Sequence, residues 1–591
     1  MRRGGDEAMR GNMVGRMAGE SGPSQPSVLA AVRARVSSSP PRRLAASPPR
    51  PLVGDAVAAP PRPAAEQARA RTRSLADVTV EQGIYAALTL LALGMRLALL
   101  GDKPLHHDES LHATFTWYLF TGRGYHYDPL MHGPFQFLVT SAIFALVGVS
   151  DFTTRLLPAL LGTAIVPLPF LLRRELGRVG ALFSAVVLTL SPSFLYFSRF
   201  YRDDIYVACF TLGMAMCFWR FLRSRRPGWF VAALALLSLS FTAMENTFIT
   251  AFIFGTFVLL TLVYERWSPD RQVLLAAIRT INLDAALAGF AAFVLIFAFF
   301  FTTAFTWPRG LQAGVVKGLQ YWLAQQPVAR GGEPWWFYVS LLLPYEPLEI
   351  GLAIAGVVVA LRRRARFELF LVWWAALSMI IYSWAGEKMP WLILHPLLPL
   401  VLLAGVAIQA LVTARRTAAT VLAWLGVAVG GVYMLHAAIP LSYYHPADPA
   451  EMLVYTQTST DVLAAMDQVD AVALRSGMGK QMPIMVDGED WWPFVWYLRD
   501  YTSASVGTSR GGVNPPIVIV SDVAGNETSA AAALQPNYVE EHLKLREWWI
   551  PDWHAQSIQN WWNWLMYRRN WNDKGSTDFY MFIRKDLAGG L

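Results

Sequence analysis

The sequence is poor in charged residues and contains almost no cysteine. Asp, Glu, Lys and Arg make up only 16% of the 591 residues, whereas 54% are hydrophobic. One soluble core cannot bury that much apolar surface, so the composition predicts an α-helical polytopic membrane protein. The two cysteines, Cys209 and Cys217, are about two helical turns apart in one apolar run, too distant for a disulfide between them. They therefore define no redox compartment.

Motifs for nucleotide and nucleic-acid binding are also missing. The polar C-terminal part has no glycine-rich phosphate loop of the Walker or dinucleotide type, which argues against a soluble nucleotide site. The net charge is +8, and residues 1–75 alone hold 13 Arg against 5 acidic residues. Because the remainder of the chain is balanced, the charge does not indicate a nucleic-acid partner.

Residues 1–78 form a basic tail rich in Pro, Ser, Ala and Arg. The tail has no apolar periodicity and no early apolar segment of the signal-peptide type, so we predict that it is disordered. Its charge would keep the N-terminus in the cytoplasm. A later start at Met9, Met13 or Met17 is an equally good interpretation of this region.

About eleven apolar runs are long enough, at about 20 residues each, to cross a membrane. They lie near 82–100, 155–172, 178–198, 204–222, 228–244, 246–264, 285–305, 346–361, 367–385, 390–412 and 417–438.

A further apolar run, 134–149, is ambiguous. If it does not cross, the basic clusters at 173–178, 223–226 and 362–366 all face the cytoplasm, as the excess of Lys and Arg in cytoplasmic loops requires. We therefore predict that 134–149 lies along the outer face or dips into it, in a multi-pass protein of the plasma membrane.

This topology places the acid-rich motifs together on the extracytoplasmic side. The longest is the loop 106–132, which contains adjacent Asp108 and Glu109 and five histidines. The other motifs are 198–204, 244–246 and 386–391, and Glu346 lies towards the same side. The sequence thus predicts one extracytoplasmic site on a transmembrane domain of residues 79–439.

The composition turns polar after about residue 440. Residues 483–487, 516–520 and 579–584 have strand patterns and 492–501 a helix pattern. We predict an extracytoplasmic α/β domain over 440–591. The segment 306–337, with tryptophans between basic residues, suits an interfacial loop over the outer leaflet.

The acid-rich motifs supply the groups that transfer to a hydroxyl requires. A carboxylate can take the proton of the acceptor, and Asp108, Glu109 and Asp204 are the candidates. Asp108 and Glu109 are neighbours and point in different directions, so one is chemical and the other structural; Asp203 and Asp204 raise the same question. A phosphate leaving group needs cations and donors, for which the candidates are Arg199, Arg202, Lys388 and His395. The candidates for acceptor contact or loop structure are His107, His112, Tyr127, Asp128, His132, Glu245 and Glu346.

A metal site is a second interpretation of the same loop. The plausible ligands are His107, Asp108, Glu109, His112, His126 and His132. No pair has the helical HExxH spacing, so the signal for zinc is weak. Oxygen ligands from Asp108 and Asp204 could hold Mg²⁺ or Mn²⁺, and the sequence assigns no metal with certainty.

The order of five short motifs resembles a known family. Asp108-Glu109, Gly133-Pro134, Arg155-Leu156, Ser191-Pro192 and Ser198-Arg199 with Asp204 are similar to the GT-C glycosyltransferases of the protein O-mannosyltransferase and aminoarabinose-transferase type. The resemblance covers roughly residues 80–440, with its specific part in 105–210. The wider set HHDE, YDPxxHGPF, SRFYRDD and GEKMPW resembles a mannosyltransferase-like subfamily of uncertain acceptor.

This resemblance implies a GT-C-like fold and a hexosyltransferase that uses a polyprenyl-phosphate-linked sugar donor among the membrane lipids. It further implies that Asp108 is the base and Asp204 the second outer-loop acid. His112 departs from the family pattern, which often has Tyr three positions after Asp-Glu. The contact to acceptor or phosphate at this position is therefore open, as are the sugar, the acceptor and the oligomeric state.

Two other classes of function compete with an enzyme. A flippase or transporter of lipid-linked sugars would place coupling charges near mid-membrane, whereas this chain has its polar residues at one rim. A non-catalytic partner in glycan assembly could keep the same fold, and no sequence feature separates it from an enzyme.

Overall fold

A computed structural model of the chain describes residues 79–268, 272–325, 328, 333–487, 492–506, 514–522 and 526–589. The predicted tail 1–78 lies outside the described residues, as do parts of the segment 306–337. All helices and strands below belong to one compact unit, Val80–Leu591.

Residues 80–444 are predominantly helical. The α-helices are Val80–Leu97, His107–Phe120, Phe135–Val147, Asp151–Thr154, Leu156–Ala164, Leu168–Leu171, Arg178–Leu190, Pro192–Phe197, Asp204–Ser224, Pro227–Ala243, Thr247–Arg266, Val273–Ile278, Leu283–Phe301, Gly310–Gln312, Gly318–Gln325, Phe337–Tyr345, Pro347–Arg363, Arg366–Trp384, Leu394–Thr413 and Ala418–Ile439. Short 3₁₀ and π segments lie at Pro129–Met131, Ala313–Lys317, Pro390–Ile393 and Pro440–Tyr444.

Seven helical stretches in the described part are long and apolar enough to cross a membrane. They are Asp151–Leu171, Asp204–Ser224, Thr247–Arg266, Leu283–Phe301, Arg366–Trp384, Pro390–Thr413 and Ala418–Tyr444. The pair Phe337–Tyr345 and Pro347–Arg363 is bent by 107° and gives an eighth if it is one broken span. The bend falls at Glu346, between Pro344 and Pro347, where prolines interrupt helical hydrogen bonding.

Three of the predicted apolar runs form helices outside this set. Val80–Leu97 begins with polar residues, and Pro227–Ala243 has 17 residues. The predicted run 178–198 is divided, because Pro192 starts a new helix capped by the Ser191 side chain and Arg178–Leu190 ends before it. Phe135–Val147 has 13 residues, about 20 Å, which is shorter than the roughly 30 Å hydrocarbon core. Arg178–Leu190 has the same length, so helix length does not test the prediction that 134–149 does not cross.

Acidic and basic groups lie at opposite ends of several helices. Asp204 begins the helix Asp204–Ser224, and Arg223 lies in its last turn. At that second end the basic loops contact one another, since Arg223 pairs with Glu175 at 2.7 Å and Arg366 pairs with Glu265. The loop of Arg223 thus contacts that of Glu175, and the loop of Arg366 contacts that of Glu265.

Glycines allow close contact between the central helices. A Cβ on Gly356 would lie 2.1 Å from the carbonyl oxygen of Leu403, so Pro347–Arg363 and Leu394–Thr413 pack backbone against backbone. Such contacts between small residues are typical of helices in membranes, where close packing replaces the hydrophobic effect.

The C-terminal part forms a six-stranded mixed sheet. Its strands are β1 (Gln457–Thr458), β2 (Ile484–Asp487), β3 (Ala504–Val506), β4 (Ile517–Ser521), β5 (Tyr538–Trp548) and β6 (Gly575–Arg584), in the order β1-β5-β6-β4-β2-β3. β2 pairs in parallel with β3 and β4, and the other pairs are antiparallel. The α-helices of this part are Asp461–Arg475, Phe494–Tyr497, Asn526–Leu534 and Ile558–Tyr567. The predicted strands are present, whereas the predicted helix 492–501 is reduced to one turn.

The sheet domain packs directly on the helical domain. Trp549 and Trp564 are buried in the same apolar core as the membrane helices. The ring of Trp564 lies 5.6 Å from that of Tyr345 at the helix bend, and Arg568 pairs with Glu451 at 2.8 Å. Tyr345 also donates a hydrogen bond to Glu451 at 2.5 Å. The C-terminal domain is thus anchored close to the end of the bundle that carries Glu346.

Candidate active site

The site begins at the N-terminus of the helix His107–Phe120. His106 is the N-cap, and its Nδ1 accepts a hydrogen bond from the Asp108 amide at 3.0 Å. The Glu109 carboxylate in turn accepts the His106 amide at 2.9 Å, completing a capping box. Asp108 and Glu109 therefore lie in the first turn, where the helix dipole stabilises negative charge.

Glu109 is fully enclosed and fully hydrogen-bonded. Arg155 Nε and Nη2 donate to its two oxygens at 2.8 and 2.7 Å, and the Tyr201 amide donates at 2.8 Å. Burial alone would raise the pKa of Glu109, but Arg155 and Lys103 lower it to about 2. A carboxylate with no exposed surface and this many donors joins chain segments and has no lone pair left for a substrate.

Asp108 has the opposite surroundings. Its side chain is 26% exposed, and one oxygen pairs with Nη1 of Arg202. Burial alone would raise the pKa of Asp108, but the Arg202 guanidinium holds it below its ordinary value. Arg202 lies over the ring of Trp391, 4.4 Å from its centroid. Asp108 is therefore ionised, partly accessible and fixed beside a cation.

A polar chain extends from Arg202 to a third loop. Arg202 Nη2 lies 3.1 Å from Nε2 of His132. Because a guanidinium can only donate, His132 accepts at Nε2 and carries its proton on Nδ1. That Nδ1 lies 3.3 Å from Glu245 Oε2, and Tyr127 donates to Glu245 Oε1 at 2.8 Å. His132 has φ 61° and ψ −163°, a strained conformation of the kind that is concentrated at functional sites.

The two aspartates at 203 and 204 differ as strongly as those at 108 and 109. Asp204 Oδ1 lies 3.1 Å from Nε2 of His395, whose ring stacks on Tyr382. Asp203 is fully buried, and within the described residues its carboxylate oxygens have no hydrogen-bond partner. Burial raises the pKa of Asp203 well above its ordinary value, whereas His132 and Arg202 lower it. Asp204 and Asp108 are held by different bases.

Several predicted site residues have separate structural contacts. Arg199 donates to backbone carbonyls at the end of Val80–Leu97, including those of Met95 and Arg96. Asp128 caps Pro129–Met131, and Glu346 accepts from Ser191 Oγ at 2.8 Å. Lys388 Nζ donates to the Ala385 carbonyl at 2.8 Å.

The remaining histidines of the loop differ in exposure. His107 is half-buried at the first position of its helix. His112 is buried, with its ring 5.6 Å from Phe137 and 6.2 Å from His132. Burial and Arg202 lower the pKa of His112 to about 3. His112 is therefore neutral and forms one wall of the site.

The donor set does not fit a metal ion. Across the described ranges, no three His, Cys, Asp or Glu side chains converge as metal ligands. Asp108 and Asp204, the predicted oxygen ligands, are paired with Arg202 and His395 respectively. One oxygen of each carboxylate is therefore already engaged by a basic group.

Several residues of the cluster, among them His106, Arg155, Asp203 and Trp391, were not among the predicted site residues. Arg155 and Trp391 were present only as members of the Arg-Leu and GEKMPW motifs, and Asp203 was passed over in favour of Asp204. A signal for Arg155 exists, since an arginine in an apolar stretch needs a buried acid as partner. Nothing in the sequence indicates that Trp391 covers Arg202.

The chain is similar to proteins whose descriptions include polyprenyl-phosphate lipids. Residues 106–309 match the family model described as dolichyl-phosphate-mannose-protein mannosyltransferase. ArnT from Cupriavidus metallidurans, in the apo state, matches with a TM-score of 0.56 at 16% identity over 87% of this chain and 100% of ArnT. ArnT bound to undecaprenyl phosphate matches with the same TM-score and identity over 86% and 99%.

A second solved structure is less similar. AglB, the oligosaccharyltransferase of Archaeoglobus fulgidus in complex with an inhibitory peptide and a dolichol-phosphate, has a TM-score of 0.49 at 13% identity over 76% of this chain and 70% of AglB. No curated protein sequence matches the chain.

Proposed function

We propose that the chain is a GT-C glycosyltransferase that transfers a hexose from a polyprenyl-phosphate donor to an acceptor hydroxyl outside the cytoplasm. The match of residues 106–309 to the mannosyltransferase family model and the similarity of the fold to that of ArnT support this proposal. The observation that carries this proposal is the pair of Asp108 and Arg202 at the end of the bundle. A base for the acceptor and a cation for the phosphate are held side by side there.

Asp108 is the base in this proposal. Of the two adjacent carboxylates, only Asp108 has exposed surface, since Glu109 has none. The acceptor oxygen forms a bond to the anomeric carbon while the bond from that carbon to the phosphate oxygen breaks. The proton of the acceptor passes to Asp108, and the electron pair leaves with polyprenyl phosphate.

Arg202 serves the donor phosphate. Its Nε is buried and, within the described residues, has no hydrogen-bond partner. The guanidinium can therefore donate one further hydrogen bond, to a phosphate oxygen. A phosphate that draws Arg202 towards itself weakens the pair with Asp108 and makes that carboxylate a stronger base. Donor binding would in this way activate the base. His395 and Lys388 are the further candidates for phosphate contact.

The solved structure of ArnT with undecaprenyl phosphate supports a lipid phosphate as the carrier. The family description supports mannose as the first sugar to test. The location outside the cytoplasm is supported by the basic loops at the other end of the helices, because Lys and Arg are enriched on the cytoplasmic side.

The test uses the full-length protein in lipid nanodiscs with polyprenyl-phosphate mannose as donor, and measures release of polyprenyl phosphate. Asp108→Asn should lower turnover by about 10²–10⁴-fold, the usual contribution of a general base. Asp128→Asn is the matched control, because this exposed aspartate of the same loop caps a 3₁₀ helix and asparagine caps equally well. Absence of release by the parent, or an Asp108→Asn variant within a few-fold of it, would refute the proposal. In sealed liposomes that contain the same protein, movement of intact donor across the bilayer would instead indicate a flippase.

A further inference from the structure

The C-terminal domain contacts the loop immediately before Asp108 through three consecutive residues. Gln457 Nε2 donates to the Pro104 carbonyl at 3.0 Å, and the Leu105 amide donates to the Tyr497 hydroxyl at 2.8 Å. The third contact joins His106 Nε2 to the Tyr455 carbonyl at 2.9 Å. Three partners from one domain thus hold the short segment 104–106.

The His106 ring is the link between this segment and Asp108. Its Nδ1 accepts from the Asp108 amide, so in the neutral ring the proton lies on Nε2, which donates to Tyr455. The ring is buried and is enclosed by Phe200 and Trp391, at centroid distances of 5.2 and 6.0 Å. One rigid group therefore spans from a carbonyl of the C-terminal domain to the backbone of the candidate base.

Tyr497 fastens the same segment to a second point. Its hydroxyl accepts from Leu105 and donates to Asp151 Oδ2 at 3.0 Å. Trp496 donates to the other oxygen of Asp151 at 2.7 Å. Asp151 begins the helical stretch that carries Arg155, the partner of Glu109. The C-terminal domain thus contacts both the segment 104–106, which precedes the helix of Asp108, and Asp151, at the start of the stretch whose Arg155 binds Glu109 in that helix.

We propose that the C-terminal domain contributes to the active site by fixing the backbone before Asp108. His106 and Tyr497 are the positioning residues that set the direction of the Asp108 carboxylate. This inference rests on the proposed function, because it takes Asp108 as the base. Neither residue touches the reacting atoms; both act through the backbone of 104–108. An error of about 1 Å in a base can cost on the order of 10²-fold in rate.

Two substitutions separate positioning from folding. His106→Asn keeps a favourable N-cap oxygen for the Asp108 amide but is too short to reach Tyr455. Tyr497→Phe removes the contacts to Leu105 and Asp151 and keeps the ring. Tyr501→Phe is the matched control, since Tyr501 is a buried tyrosine of the same domain. Among the described residues its hydroxyl hydrogen-bonds only to Asp470.

The first measurement is steady-state turnover of polyprenyl-phosphate mannose by the full chain. His106→Asn and Tyr497→Phe should lower kcat by roughly tenfold or more, with the KM for donor unchanged, because neither residue binds the lipid. Tyr501→Phe should match the parent. A merely structural role would lower the amount of folded protein and leave kcat per folded molecule unchanged.

The second measurement is hydrogen exchange in peptides that cover 104–112, which requires no activity. Both variants should speed exchange there by roughly tenfold, and Tyr501→Phe should not. Suppose that the parent turns over donor and Asp108→Asn does not. If His106→Asn and Tyr497→Phe then keep the parent's kcat and exchange rate, the positioning role is refuted while the proposed function stands. If the parent shows no turnover, the proposed function fails, and the exchange result still decides whether the C-terminal domain holds this segment.

Discussion

Arg155 donates two hydrogen bonds to the Glu109 carboxylate, from Nε to Oε1 at 2.8 Å and from Nη2 to Oε2 at 2.7 Å. Both side chains have no exposed surface. This bidentate pair joins the helix of Asp108 to the helical stretch Asp151–Leu171. Removing charge from one partner would leave the other buried and uncompensated.

We therefore expect Glu109→Gln to act on stability. Breaking a buried ion pair costs about 3–5 kcal/mol, so thermal unfolding of the detergent-solubilised protein should begin at a clearly lower temperature. Turnover per folded molecule should fall much less than in Asp108→Asn. Glu540→Gln, at an exposed position of β5, is the control and should change neither quantity. A stable Glu109→Gln protein without activity would show that the roles of the two neighbours are reversed.

Arg202→Met should change the pH dependence of the reaction. In the parent, Arg202 holds the pKa of Asp108 below its ordinary value, so the carboxylate stays ionised as the pH falls. Without Arg202 only the neighbouring histidines His106, His107 and His112 oppose the raising effect of burial on the pKa of Asp108, so protonation then occurs at higher pH. The acid-side decline of kcat/KM should therefore shift upward in pH, and an unshifted profile would separate Arg202 from the base.

Lys388→Met tests the second cation by its effect on the donor. If Lys388 contacts the lipid phosphate, the KM for polyprenyl-phosphate mannose should rise while the pH profile keeps the parent's shape. Melting temperature measured on the same sample provides the control. A variant that melts early but turns over normally per folded molecule would assign Lys388 to the fold, through its bond to Ala385.

Gly133→Ala should displace the strained His132. A Cβ at Gly133 would lie 2.1 Å from the carbonyl oxygen of Thr242, so the loop must move, at a cost of about 1–3 kcal/mol. Gly255→Ala is the matched control in a helix with nothing within 4 Å of the new Cβ. Reduced turnover together with reduced stability is expected for Gly133→Ala alone, measured by initial rates and thermal melting.

Removal of divalent metal should leave the reaction unchanged. One oxygen of Asp108 pairs with Arg202 and one of Asp204 pairs with His395, and no three His, Cys, Asp or Glu side chains converge as metal ligands among the described residues. Dialysis against EDTA followed by the polyprenyl phosphate release assay checks this expectation. Loss of activity that Mg²⁺ or Mn²⁺ restores would contradict it.

The sequence predicted the helical domain well because apolar runs are long and membrane helices satisfy their own backbone. It failed where local breaks matter, as at Ser191 and Glu346, since prolines can lie at a helix start or in a kink. Strand β5 was missed because its exposed positions are charged, including Glu540 and Glu541. That pattern resembles a polar loop when its pairing with β6 is unknown.

The membership of the site could be predicted more readily than its pairings. Adjacent carboxylates at 108 and 109 had to point apart, so a division of roles followed from the sequence. Which of them was enclosed depended on Arg155, 46 positions away from Glu109. The partner of Asp108, Arg202, is 94 positions away, and no local pattern encodes such a contact.

The contacts at residues 104–106 have a consequence for biosynthesis. Their partners Tyr455, Gln457 and Tyr497 are encoded about 350 to 390 residues later. On the ribosome, the helix that bears Asp108 emerges long before the residues that fix its beginning. The helix can therefore reach its final arrangement only after most of the polypeptide has been made, and a chain truncated before residue 455 would lack all three contacts.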